Sequence, residues 1–272
     1  MQEAKDIKRI GLITGNGKFP FFLCQAAKAH NIDIVVIAVK DELDSDLSRY
    51  AEKTYWVELG QGKKLLEILK GEALKYVVMA GKIKKTTIFK QTFKMDEEAR
   101  SVLKKVINKR DNTILKAIAD RLKIEGVQLL DSTRFLKSLL AEKGLYTKKK
   151  PTSSQIEDIN FGFKIAKTMG GLDIGQAVVV KDKAVIAVEA IEGTDGAIIR
   201  AGNLVPGTVV VKTSKPKQDM RFDVPTVGLN TIKSMQKANA CVLAIEAEKT
   251  LILEKEIMIK EADKAGICIV AV

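Results

Sequence analysis

The sequence predicts a two-domain α/β protein, with a Rossmann-like parallel sheet in the first domain and a mixed α/β second domain. Three observations carry this expectation. The chain has 272 residues, a length that suits one large α/β domain or two modest ones. Short β-branched runs alternate with helical apolar spacing through the first half, the pattern of βαβ units. The alternation loosens after a polar, basic, proline-containing stretch at 143–153. The expected division is therefore a Rossmann-like domain over 1–145 and an α/β domain over 146–272 that carries the acidic motifs.

Taken in order, Ile7–Thr14 is an apolar run ending at a glycine and reads as a strand, followed by a helix from Gly17 to Ala29. Ile32–Val39 is a buried strand by its β-branched content. Tyr55-Trp56-Val57 is a strand, Gly62–Lys70 a lysine-faced helix, and Tyr76–Ala80 a strand running into Gly81-Lys82. Asp96–Asn108 and Asn112–Glu125 have the three- and four-residue spacing of helices, and Gly126–Leu130 closes the half as a strand. Residues 143–153 read as a solvated linker. Beyond it come a helix at Ser154–Met169 and strands at Ala177–Val180 and Ala184–Val188, joined by a hairpin turn. A helix at Thr194–Asn203, a strand at Thr208–Lys212 and a helix at Leu229–Ala238 follow. Strands at Cys241–Ile245 and Thr250–Leu253, a helix at Lys255–Lys264 and a strand at Ile267–Val272 complete the pattern.

Composition narrows the function. Apolar residues make up 46% of the chain, enough to fill a core, so disorder is excluded as the main theme. No stretch approaches the roughly 18–20 apolar residues of a membrane-spanning helix, and Met1–Asp6 lacks the apolar core of a signal peptide. A cytoplasmic protein is expected. Cys24, Cys241 and Cys268 lie apart among apolar neighbours, against a disulfide framework or a zinc ribbon. The single histidine, His30, excludes a His-rich two-metal phosphoesterase, a zincin and a relay of several histidines. The net charge of +12 favours an anionic partner such as a nucleotide, a phosphorylated metabolite or an acidic lipid surface. Lysines spaced along helices read equally as solvated faces. Aromatics are sparse beside the lysines, so nucleic acid is not an expected partner.

Four constellations can carry chemistry. The first is Gly15-Asn16-Gly17 at a strand-to-helix turn, where backbone N–H groups can approach a phosphate. Pro20 stands where a dinucleotide fingerprint needs glycine, and Phe19 where a Walker A loop needs Ser or Thr. A purely structural turn is the alternative. Asp41 and Glu42 after the second strand suit a ribose, which keeps an NAD(P)-dependent oxidoreductase as a rival. The second constellation is Lys82, at the carboxyl end of a strand. The third gathers Glu189, Glu192, Thr194 and Asp195, with Arg200 a turn later; helix capping explains part of it but not the surplus of acid. The fourth runs from Lys212 to Gly228 and holds Lys215, Gln218, Asp219, Arg221 and Asp223. Its carboxylates suit Mg²⁺ at a diphosphate and its cations suit phosphoryl oxygens. A salt-bridged structural loop is the competing reading.

Four segments occur in order: Gly15-Asn16-Gly17-x-Phe19-Pro20, Leu172-Asp173-Ile174-Gly175-Gln176-Ala177-Val178-Val179, Glu189-Ala190-Ile191-Glu192-Gly193-Thr194-Asp195, and Gln218-Asp219-x-Arg221-Phe222-Asp223-x-Pro225-Thr226-Val227-Gly228. With them, the chain from about residue 9 onward resembles the Mg²⁺-dependent UDP-2,3-diacylglucosamine pyrophosphatases of lipid A biosynthesis, the type unrelated to calcineurin-like enzymes. The resemblance implies hydrolysis of a UDP-linked diacylated glucosamine to UMP and the diacylglucosamine 1-phosphate. It also implies a homodimer of two-domain subunits with the substrate held between the domains, and it ties catalysis to Asp223. It departs from the family at Asp111-Asn112, where paired aspartates are usual.

On this reading Mg²⁺ is held by Asp223 with Asp219 or Asp195, while Arg221, Lys215 or Lys82 offset the charge that builds up on phosphorus. Whether Asp223 serves as metal ligand or as base stays open. Gly15, Asn16, Gly17, Lys82, Glu192, Thr194, Asp195, Arg200, Lys215 and Gln218 are the candidate substrate contacts, and Asp223, Arg221 and Asp219 the candidate catalytic groups. A lysine-rich surface also suits peripheral docking on acidic headgroups at the inner membrane's cytoplasmic face. A non-catalytic nucleotide- or lipid-binding protein is the remaining alternative.

Overall fold

The computed structural model describes residues 7–40, 42, 43, 46–83, 87, 94–104, 106 and 111–272. The chain divides into two compact units, Met1–Lys137 with Met220–Asp223, and Ser138–Asp219 with Val224–Val272.

In the first unit, β1 (Arg9–Thr14), β2 (Asp33–Val39), β3 (Lys53–Val57), β4 (Tyr76–Ala80) and β5 (Gln128–Leu129) form a parallel sheet in the order β3-β2-β1-β4-β5. The connections carry α1 (Phe19–Ala29), α2 (Gly62–Gly71), α3 (Glu97–Lys104) and α4 (Asp111–Ile124). β2 is buried along all but its first residue, as a strand covered on both faces must be. Val35, Ile37 and Val39 join Leu69 of α2 and Leu122 of α4 in one cluster. Ile34 and Val36 point to the opposite face by the period-2 alternation of a strand. α1 packs against β2 and β4. The chain runs outward through β2 and β3 and then returns to β4 beside β1. The carboxyl ends of β1 and β4 therefore form the topological switch point, where open α/β sheets take their ligands.

The opposite edge is tied by charge. Glu72, just after α2, accepts from Arg9 Nη2 at 2.5 Å and Lys53 Nζ at 2.9 Å, and from the Tyr55 hydroxyl. Arg9 Nε also donates to Glu52 at 2.8 Å.

The second unit contains β6 (Gly144–Leu145), α5 (Ser153–Gly171), β7 (Ala177–Lys181), β8 (Ala184–Val188), α6 (Gly193–Gly202), β9 (Val209–Lys212), β10 (Thr226–Val227), α7 (Leu229–Lys237), β11 (Val242–Ile245), β12 (Leu251–Ile252), α8 (Lys255–Lys264) and β13 (Cys268–Ala271). Six strands form a mixed sheet in the order β6-β13-β11-β9-β7-β8, with β9, β11 and β13 parallel and the others antiparallel to their neighbours. β10 and β12 make a separate parallel pair. α5 starts at a capping box in which Thr152 and Gln155 satisfy each other's backbone N–H. The β7–β8 turn places Asp182 and Lys183 at φ of 49° and 58°, the left-handed pair of a type I′ hairpin. The buried carboxylate of Asp158 accepts from both their N–H groups, at 3.1 and 2.7 Å.

The structure departs from the sequence reading in two ways. Residues 143–153 are not a solvated linker. β6 pairs with β13, Thr147 Oγ1 accepts from the Ile269 N–H at 2.8 Å, and the Lys148 N–H donates to Asp263 at 2.8 Å. The division falls at Lys137/Ser138 instead of 145/146. A two-residue edge strand carries no readable periodicity, and lysines are ordinary on a protected edge. Second, Met220–Asp223 belong to the first unit, so the acidic motif is not confined to the second. Asp41 lies outside the described residues, as do the side chains of Asp111 and Asn112 and the end of the helix expected to reach Asn108.

The Tyr55 hydroxyl, then Arg9 and Lys53, hold the Glu72 carboxyl down at about 2. A depressed carboxylate contributes stability that is present above its unfolded value, near 4.3, and is lost as pH falls through the folded value. Urea titrations of the wild type should therefore show a midpoint that drops between about pH 4.5 and 2. Glu72→Gln should be less stable at neutral pH and flatter across that window; equal pH slopes would refute the role.

Candidate active site

Asp223 is presented by its neighbours. Phe222 is 4% exposed and sits in the cluster that contains Val77, Leu122 and Leu129 of the first unit. The carbonyl of Met220 accepts from the N–H and Oγ of Ser132, at 3.0 and 2.8 Å, just beyond β5. The Arg221 guanidinium lies 5.6 Å from the Phe222 ring centroid, over its face. Asp223 follows at φ 56°, exposed. Aspartate is among the few non-glycine residues that adopt this left-handed conformation readily. The motif thus reads physically as an apolar anchor flanked by a stacked cation and an exposed carboxylate.

The glycine turn meets Lys82. Asn16 and Lys82 exchange two backbone hydrogen bonds, each 2.8 Å, and the Gly15 N–H donates to the Ala80 carbonyl at 3.3 Å. A Cβ at Gly15 would stand 2.3 Å from the Lys82 carbonyl oxygen, and one at Gly81, where φ is +90°, 2.8 Å from that of Gly15. The glycines therefore serve the crossing of these two loops at the switch point. The N–H groups of Gly15 and Asn16 are used in that crossing and are not offered to a phosphate, which corrects the sequence reading. The Lys82 side chain remains exposed there. Glu42 does not face a ribose: its carboxylate is buried and accepts from Thr87 Oγ1 at 3.1 Å.

In the second unit, chemistry gathers at the carboxyl edge of β9 and β11. Lys212 is 5% exposed, and its ammonium donates to Thr194 Oγ1 at 3.0 Å and to the Thr226 carbonyl at 2.9 Å. Thr194 in turn donates to Glu189 Oε1 at 3.1 Å, and Glu189 Oε2 accepts from the Gln176 N–H at 3.2 Å. Gly175 lets the chain pass here, since a Cβ would stand 2.2 Å from the Glu189 carbonyl oxygen. Lys167 is bidentate to Glu246 at 2.7 Å, and Glu246 also takes the Ser214 N–H and hydroxyl at 2.7 and 2.8 Å. Lys215 is buried in a 2.6 Å pair with Asp173, and Gln218 accepts from the Lys215 N–H at 3.1 Å.

Several candidates are placed differently from the expectation. Thr194 is turned inward, whereas Asp195 is exposed in the first turn of α6. Glu192 and Arg200 pair with each other at 2.6 Å, which holds the Glu192 carboxyl below the ordinary range. Lys215 and Gln218 brace their own loop. Asp219 is half-buried. Among the described residues no group of three or more Asp, Glu, His or Cys side chains could hold a metal ion. Mg²⁺ asks for less, since one or two carboxylates suffice when substrate phosphates and water complete its shell. Asp223, a hard and exposed oxygen donor, fits that requirement. Lys167 and Glu246 escaped the sequence reading; the one available signal was that Glu246 directly follows a β-branched strand.

Fold and residues together define a two-unit α/β protein that displays an acid and cations beside a parallel sheet's carboxyl edge, the class suited to phosphorylated ligands. Residues 9–139 match the LpxI N-terminal domain and residues 142–270 the LpxI C-terminal domain, so the chain belongs to the LpxI family. A relative from Caulobacter vibrioides, UDP-2,3-diacylglucosamine pyrophosphatase LpxI, is 28% identical over 278 residues, covering 98% of each chain. The resemblance read from the four segments is borne out. Among solved structures, the biotin carboxylase domain of Hydrogenobacter thermophilus 2-oxoglutarate carboxylase aligns at a TM-score of 0.29 and 11% identity, over 72% of this chain and 40% of that one. Staphylococcus aureus N5-carboxyaminoimidazole synthetase aligns at 0.23 and 14%, over 64% and 38%. The chain spans about two fifths of those structures' chains, and nothing functional follows from likenesses of this size.

The anchor can be tested directly. Phe222→Ala should cost about 3 kcal/mol or more of stability in urea, with Phe222→Leu costing clearly less. Equal stability of Phe222→Ala and the wild type would show that the ring is no anchor.

Proposed function

We propose that this protein hydrolyses the pyrophosphate bond of UDP-2,3-diacylglucosamine, releasing UMP and 2,3-diacylglucosamine 1-phosphate, as a step of lipid A biosynthesis. The observation that carries the proposal is the match to both family domains across nearly the whole chain, in a family whose Caulobacter member is named for this activity.

The residues supply a coherent mechanism. Asp223 is an exposed carboxylate on a backbone held by a buried neighbour, suited to orient or deprotonate the attacking water. Arg221, stacked on Phe222, and Lys82, at the switch point, bring fixed positive charge for the phosphoryl oxygens. Lys215 leaves this list, because its charge is already neutralised by Asp173. Mg²⁺ is the proposed cofactor, with Asp223 as the residue that would hold it; when bound it draws charge off the diphosphate oxygens. Peripheral contact with an acidic lipid surface belongs to the same reading and is supported by the net charge of +12. The homodimer is carried over as part of the family resemblance. Among the described residues no helix is long and apolar enough to cross a membrane.

Incubation with UDP-2,3-diacylglucosamine should release UMP with Mg²⁺ and lose that release in EDTA. Asp223→Asn should lower kcat by about 10³-fold or more while melting like the wild type. UMP release that persists in EDTA would remove the metal, and an active Asp223→Asn would remove the assigned residue. Binding to vesicles containing anionic lipid should weaken as salt rises; binding indifferent to salt would reject the electrostatic docking.

A further inference from the structure

We infer that Lys212 is a positioning residue for the hydrolysis, acting on the segment that leads away from Asp223. The inference rests on the pyrophosphatase reading and adds to it a residue that does not touch the substrate. Two of the sequence motifs meet at this one ammonium group, and a third is linked to it at one remove. It donates to the carbonyl of Thr226, three residues after Asp223, at 2.9 Å, and to the Thr194 hydroxyl of the Glu189–Asp195 motif at 3.0 Å. Through Thr194 it is linked to Glu189, which also holds the N–H of Gln176 in the Leu172–Val179 motif.

The arrangement is built to be stiff. Lys212 is the last residue of β9, paired with β11 on one side and β7 on the other, so its backbone cannot drift. The side chain is 5% exposed and Thr194 4%, leaving little room for water to replace either bond. Beyond Thr226, the Pro225 and Val227 carbonyls accept from the N–H groups of Leu251 and Leu253, at 2.8 and 2.9 Å. Only Val224 and Pro225 lie between Thr226 and Asp223. Misplacement of a reacting group by about 1 Å can cost on the order of 10²-fold in rate, so a hold on the segment that follows the acid bears directly on kcat.

The test is steady-state UMP release by the wild type, Lys212→Met, Thr194→Val and Thr194→Ser. Lys212→Met should lower kcat by about 10²-fold with KM within about threefold, the signature of an interaction that matters in the transition state. Thr194→Val, of similar volume but without the hydroxyl, should lower kcat less, and Thr194→Ser should recover most of it. In an Asp223→Glu background, which displaces the carboxylate, adding Lys212→Met should cost less than about threefold further, since the two changes act through one group. A kcat for Lys212→Met within threefold of the wild type overturns the inference. So does a loss carried by KM alone, or a fully multiplicative loss with Asp223→Glu. If near-ultraviolet circular dichroism shows that Lys212→Met does not fold, Thr194→Val against Thr194→Ser decides: a fall in kcat recovered by serine supports the role, and no difference between them overturns it. Absence of UMP with the wild type overturns the pyrophosphatase reading itself, and the inference with it.

Discussion

The burial of the Phe222 ring anchors the backbone that presents Asp223. Ser132 and Met220 are 88 positions apart in sequence, yet the hydrogen bond between them and the insertion of Phe222 bring a four-residue piece of the C-terminal half into the first unit. Full burial of such a side chain is worth about 1.5–3 kcal/mol, whereas a non-glycine residue in the left-handed region costs about 1–2 kcal/mol. The anchor therefore offsets the unusual backbone of its neighbour, and the acid can be displayed without a dedicated helix or strand beneath it.

The second unit solves a related problem with charge. Lys212 and Lys215 are buried, and Lys167 is half-covered. Each is matched to an acid, directly or through a hydroxyl. Buried pairs of this kind contribute little net stability because desolvation opposes attraction, but breaking one costs about 3–5 kcal/mol. Such pairs therefore discriminate sharply between the correct loop arrangement and its competitors. This accounts for Lys215 with Asp173 in the conspicuous motifs of the second half, while Glu192 and Arg200 serve each other at the surface. Their charge looked like surplus available to a ligand; much of it is internal.

Elements with several turns or a full β-branched run were legible from the sequence. β2 and α8 fall at or within one residue of the expected limits because their periodicity leaves few alternatives. β6 and β10 were not legible, since two residues cannot show a period and their strand character is conferred by partners elsewhere. The glycines at 15 and 81 announced close backbone approach, but only the fold shows that the approaching group is another loop of the same chain. Asp223 stood out through its motif, while the membership of Phe222 in a distant core left no local mark. Lys167, one of two lysines on a long helix, carries nothing in sequence to separate it from Lys164.

The excursion of residues 220–223 has a bearing on biosynthesis and on gene fission. A nascent chain emerging from the ribosome exposes the first sheet and its helices long before the ring that completes their core has been translated. Until then an apolar socket faces water or a chaperone, the kind of surface on which vectorial folding stalls or aggregates. Cutting the gene at the border between the two domain families would make that condition permanent, so the neat bipartite organisation of the sequence does not define two independently complete folding units.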